Sequence, residues 1–121
     1  MKKRILFVDD ERNVLEGLRF RLRQRRQVWE MVFVESGRVA LEVLAREPFD
    51  IVVSDMKMPG MDGAELLQRV RDEFPTVSRV VLSGHAEESV VIRALATAHE
   101  FLSKPCDPGL LESVLEKRCG I

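Results

Sequence analysis

The chain has 121 residues, 45% hydrophobic and 32% charged, enough for one domain with its own core and an ordinary balance for a globular sequence. A net charge of −1 excludes nucleic-acid binding driven by overall charge. Only Cys106 and Cys119 are present, without a CxxC, which supports neither a disulfide scaffold nor a structural zinc site.

The first apolar run, Ile5 to Val8, is too short for the core of a signal peptide, and no stretch reaches the length of a membrane span. A cytoplasmic protein that engages neither membrane nor nucleic acid is expected, with residues 1–121 forming a single domain.

Strand and helix patterns then alternate. "RILFVDD" (4–10) is a continuous apolar run, the mark of a strand buried on both faces. Val14, Leu15, Leu18 and Leu22 recur at helical spacing through "ERNVLEGLRFRLRQRRQ". "WEMVFVE" (29–35) is β-rich, "GRVALEVLARE" (37–47) helical, and "FDIVVSD" (49–55) a second buried strand. Asp62 stands as N-cap before "GAELLQRVRDEF", which Pro75 stops. "RVVLSG" (79–84), a helix through "EESVVIRALATA", and the short strand "EFLS" (100–103) follow. Asp107 as N-cap and Pro108 as first helical residue announce the last helix. Five βα units of this kind predict an α/β, flavodoxin-like three-layer sandwich: a five-stranded parallel sheet of order 2-1-3-4-5 with five helices.

In such a sheet ligands bind beyond the carboxyl ends of the strands. Those ends carry Asp9 and Asp10, Asp55, Ser83 and Lys104. Clustered carboxylates repel unless a cation intervenes. Mg²⁺ suits that place, because it takes one or two carboxylates and accepts phosphate oxygens as further ligands. A carboxylate can attack phosphorus to give an aspartyl-phosphate, Lys104 can neutralise a phosphoryl group, and Ser83 can donate a hydrogen bond to it.

"LFVDDE", "SDMKMPGMDG", "VVLSGHA" and "FLSKPCD", in this order and spacing, resemble the receiver domain of two-component response regulators over essentially the whole chain. The resemblance implies that Asp55 accepts a phosphoryl group from a histidine kinase or phosphotransfer protein. It implies Mg²⁺ held by Asp9, Asp10, Asp55 and the backbone carbonyl of Lys57. It gives Lys104 to the phosphate, makes Ser83 the switch hydroxyl and Phe101 the switch aromatic, and suggests a cis peptide between Lys104 and Pro105. Phosphorylation would then bias a surface of helix four, strand five and helix five, to control an output domain or downstream protein, and could bring a homodimer. Phe101, where tyrosine is common, would have to act by packing alone. The stretch 82–107 is similar to receivers joined to HDOD or HD-GYP-type outputs. Such a domain is a regulatory phosphoacceptor rather than an enzyme.

Alternatives remain beside this reading. A haloacid-dehalogenase-like phosphohydrolase would place a second aspartate where Lys57 stands. A flavodoxin would carry a hydroxyl- and glycine-rich loop after the first strand. A receiver-shaped interaction module independent of phosphate keeps the same fold. Lys57 and His85 are expected to tune dephosphorylation or else to be solvated. Arg19, Arg23 and Arg26 are expected on one face of the first helix, as a solvated helix end or a dock for an acidic partner. His99 and Cys106 read as structural, and Cys119 as a tail residue.

Overall fold

The computed structural model describes residues 2–84, 88–104 and 108–119. Its elements are β1 (Lys3–Val8), α1 (Arg12–Arg21), a short 3-10 helix (Arg23–Gln27), β2 (Trp29–Val34), α2 (Gly37–Arg46), β3 (Ile51–Ser54), α3 (Gly63–Glu73), β4 (Ser78–Ser83), α4 (Glu88–Leu95), β5 (Glu100–Ser103) and α5 (Pro108–Cys119). All strand pairs are parallel, in the order β2-β1-β3-β4-β5, as the alternation predicts.

The central strands carry unbroken apolar runs, Ile5–Val8, Ile51–Val53 and Val80–Leu82, because both sheet faces are covered there. Leu6, Val8, Val52 and Val81 face a core closed by α2 and α3 residues such as Ala40, Leu44, Leu66 and Val70. Ile5, Phe7, Ile51, Val53, Val80 and Leu82 face the other core, with Leu15 and Leu18 of α1 and Leu111 and Leu115 of α5. Ser36 caps α2 by accepting the Val39 N–H at 3.2 Å, and Asp62 caps α3 by accepting the Glu65 N–H at 2.9 Å, each satisfying an orphan donor of the first turn. Asp107, expected to cap α5, lies outside the described residues, as do His85, Cys106 and the Lys104–Pro105 bond.

Two expectations need correction. The first helix does not run on to Gln27: it ends at Arg21, and a 3-10 turn follows. Leu22 plunges into the core, while Arg25 pairs with Glu112 at 3.1 Å and with Glu116, both on α5, and lays its guanidinium over the Trp29 ring. These long-range contacts outweigh helix propensity, so Arg19, Arg23 and Arg26 do not share one helical face. Cys119 is no tail residue either. It closes α5 as a buried member of the second core, and burial pushes its thiol pKa up to about 11.

Candidate functional site: an acidic cluster at the strand ends

The register sets Val8 of β1 beside Ser54 of β3, so the next residue of each strand, Asp9 and Asp55, emerges at the same edge. The Asp55 N–H donates to the Val8 carbonyl at 3.0 Å, extending the ladder one residue past β3. Both carboxylates are buried. Asp9 Oδ1 accepts the Glu11 N–H at 2.9 Å, which fixes the turn into α1, and Asp55 Oδ1 accepts the Met56 N–H at 2.9 Å.

On the far side, β4 and β5 align Ser83 with Ser103, and the Lys104 N–H donates to the Ser83 carbonyl at 2.8 Å. That bond carries Lys104 past the end of β5 and towards the acids. Its Nζ lies 2.6 Å from Asp9 Oδ2 and 3.8 Å from Asp55 Oδ1.

Asp55 holds its proton more tightly than an ordinary aspartate. Burial is the main cause, and the nearby Asp9 charge adds to it. Lys104, the Met56 N–H and a hydrogen bond from Ser83 work in the opposite direction. The Asp55 carboxylate is therefore held without full neutralisation, beside a lysine that leans towards Asp9.

Carboxylate oxygens of Asp9, Asp10, Glu11 and Asp55 come within 4.8 Å of one another. They are hard oxygen donors in a span that one small divalent cation can bridge, and the Asp55 charge is short of positive partners. The donor set thus fits Mg²⁺. Sequence reasoning misses Glu11, although it directly follows the paired aspartates.

The loop leaving Asp55 is held from below. Gly60 takes φ 75°, a left-handed turn that glycine adopts without steric cost, and the chain folds back so that the Gly63 N–H donates to the Met56 carbonyl at 2.7 Å. A methyl group on Gly63 would collide with the Asp55 carbonyl oxygen and lie 2.8 Å from Met56 Cα. The first turn of α3 therefore rests on the peptide of Asp55. Beside it, Asp62 caps α3 with one oxygen and takes Arg93 of α4 on the other, at 2.8 Å.

Of the other residues expected here, Ser83 is fully buried and bonded to Asp55. Lys57 is exposed two residues past Asp55. Phe101 is half-buried, opposite Val81 in β4, and packs against the core of Leu6, Val52 and Ala94. The structure therefore brings Asp9, Asp10, Asp55, Ser83 and Lys104 together, with Phe101 inside β5, three residues before Lys104.

The family profile for the response regulator receiver domain matches residues 5–116. The chain is 34% identical over 122 residues to the response regulator protein FleR of Pseudomonas aeruginosa, covering 99% of this chain and 25% of that one. It is 35% identical to an uncharacterised 14.6 kDa protein of Leptolyngbya boryana, covering 95% of this chain and 88% of that one. Among solved structures, the signal receiver domain of an HD domain-containing protein from Pseudomonas fluorescens superposes with a TM-score of 0.94 at 28% identity, covering 99% of this chain and 96% of that one. Against FleR the chain spans about a quarter of the relative's length. With its five parallel strands, its acids at the strand ends and these matches, the chain belongs to the response regulator receiver domain family.

Proposed function

We propose that residues 1–121 act as one cytoplasmic receiver domain whose Asp55 accepts a phosphoryl group from a phosphohistidine of a histidine kinase or phosphotransfer protein. The observation that carries the proposal is the buried, incompletely neutralised Asp55 carboxylate, with Asp9, Asp10, Ser83 and Lys104 converging on it. A carboxylate oxygen of Asp55 forms the new P–O bond as the P–N bond breaks, and the electron pair returns to the imidazole nitrogen. Met56 and Ser83 orient the carboxylate through their hydrogen bonds. Lys104 swings from Asp9 towards the arriving phosphoryl oxygens.

Mg²⁺, held by Asp9, Asp10, Asp55 and the carbonyl of Lys57, would neutralise phosphoryl charge when bound. Once Ser83 turns to the phosphoryl group, Phe101 repacks, and the surface of α4, β5 and α5 changes its preference among partners. Those partners are an output domain or a downstream protein, an HD-type output among them, with a homodimer as a further outcome. The domain turns over no separate substrate.

The test is amide NMR with Mg²⁺ and beryllium fluoride, which stands in for the aspartate-bound phosphoryl group. Shifts that need Mg²⁺, reach Phe101 and α4, and vanish in Asp55→Asn are expected. Shifts confined to the pocket would refute the switch, and no response would leave a phosphate-independent interaction module as the better reading.

A further inference from the structure

β2 is the outermost strand on its side of the sheet and pairs only with β1 among the described residues. The carbonyls of Val28 and Val34 accept the N–H groups of Lys3 and Asp9. In a parallel ladder, residues two apart bond to the same neighbour, so Glu30 and Val32 also turn their peptides to β1. The peptides of Trp29, Met31 and Phe33 consequently turn away from β1, and no other described strand pairs with them; Trp29 is itself buried, whereas Met31 and Phe33 are partly exposed.

The side chains of these three residues form one wall of a pocket of about 230 Å³, completed by Lys2, Arg19, Arg26 and Glu30. It runs along β2 from Trp29 to Phe33, which pairs with Phe7 of β1, and none of Asp9, Asp10, Asp55, Ser83 and Lys104 lines it.

Charge in this pocket is unbalanced. Glu30 is already engaged by Arg4. Arg19 lies over the Phe33 ring at 4.4 Å and, among the described residues, reaches only Glu16, at 3.9 Å. Among the described residues neither Lys2 nor Arg26 forms an ion pair, and Arg26 donates only to the Arg23 carbonyl. Arg25 and Arg23 are otherwise occupied, the first by α5 and the second by the Phe20 ring. Three cations therefore line an open strand edge.

We propose that this edge docks an extended acidic peptide segment of a partner protein, which adds to β2 as a sixth strand and sets alternate carboxylates against Lys2, Arg19 and Arg26. Main-chain bonds to an exposed sheet edge supply affinity, and side chains at every second position supply specificity. The charges select the occupant: a second copy paired β2 to β2 would set Arg19 and Arg26 against their own counterparts, whereas an acidic strand relieves them.

The test uses the unphosphorylated protein and a peptide of about eight alternating Glu and Thr residues, roughly the length of one strand. Binding is read from Trp29, the only tryptophan, and from amide exchange. Expected are slowed exchange at Met31 and Phe33, loss of binding when every second peptide nitrogen is methylated, and an affinity about tenfold weaker in the double variant Arg19→Glu, Arg26→Glu. Lys2→Glu, outside every strand and helix, tests charge without risk to the fold and should also weaken binding. Equal affinity for the methylated peptide would overturn strand addition, and undiminished binding by the charge variants would overturn the electrostatic selection. Failure to bind, or protection of Met31 and Phe33 that instead tracks protein self-association, would overturn the proposal as a whole.

Discussion

Replacing Gly63 by alanine should damage this domain, although alanine is the better helix former. Gly63 is the first residue of α3, and an added Cβ would meet the carbonyl group of Asp55 and the Cα of Met56. These are main-chain atoms at the end of a central strand and cannot swing aside as a side-chain tip would. Overpacking of this kind costs about 1–3 kcal/mol, and the narrower unfolded ensemble returns about 0.4–1 kcal/mol. The net loss is about 1–2 kcal/mol. With an unfolding entropy of about 2.1 cal/mol/K per residue, that lowers Tm by roughly 4–8 °C.

Gly17 supplies the control. It lies inside α1, and a methyl group added there would find nothing within 4 Å, so Gly17→Ala should stabilise by about 0.5–1 kcal/mol. Thermal melts followed by circular dichroism, alongside beryllium fluoride titrations, measure both effects. The reasoning is refuted if Gly63→Ala melts at or above the wild-type temperature, or if the two alanine variants behave alike.

Asp55→Asn in metal-free buffer should raise Tm by a few degrees, since it removes a charge held at a cost by burial; added Mg²⁺ should then stabilise the wild type and not the variant. Arg25→Ala should cost about 1–2 kcal/mol in urea unfolding, because it severs α5 from the 3-10 turn and uncovers Trp29, while exposed Arg26→Ala should be near neutral. His99 has a lowered pKa, chiefly from burial with Arg79 and Arg118 adding repulsion, and its Nδ1 accepts the Arg79 N–H at 2.9 Å. The unfolded chain therefore binds the proton first, so stability is full above about pH 6.5 and falls as the pH drops from there towards the lowered native value. Chemical denaturation across that range should show the slope, and His99→Gln should flatten it. Cys119 should resist a thiol reagent at pH 8 in the native protein and react once the chain is unfolded.

The order of elements and the strand-end residues were legible because each depends on short-range pattern. Buried parallel strands are uninterrupted apolar runs, so the residue that ends each run, such as Asp9 or Asp55, is marked by the change to charge. The termination of α1 was hidden. Its local sequence favours a longer helix, and the contacts that stop it come from Glu112 and Glu116, 87 and 91 positions beyond Arg25. Gly63 was equally hidden, since a glycine after an N-cap gives no sign that another segment's backbone presses on it. For Cys119 the missing information was the partner surface: a cysteine near the end of a sequence reads as tail until α5 is seen to bury it.

Two lines of contact leave Asp55, and they reach different elements. One passes to Lys104 and Ser83 at the ends of β5 and β4, beside the half-buried Phe101. The other runs through the main chain, from the Asp55 peptide to Gly63 pressed against it, to Asp62 capping α3, and across to Arg93 on α4. A charge arriving on Asp55, as the proposed phosphorylation would bring, would act on the first through the hydrogen-bonding groups it recruits. It would reach the second by moving backbone, because Asp62 is already committed to both the Glu65 N–H and Arg93. Arg93→Ala separates the two. It should loosen α4 and leave Asp55, Lys104 and Ser83 untouched, so beryllium fluoride would bind as before while the amide shifts of α4 decouple from those around Phe101. If the two sets of shifts still rise together in that variant, α4 is driven from the β5 side, and the Asp62–Arg93 pair is only a surface tie.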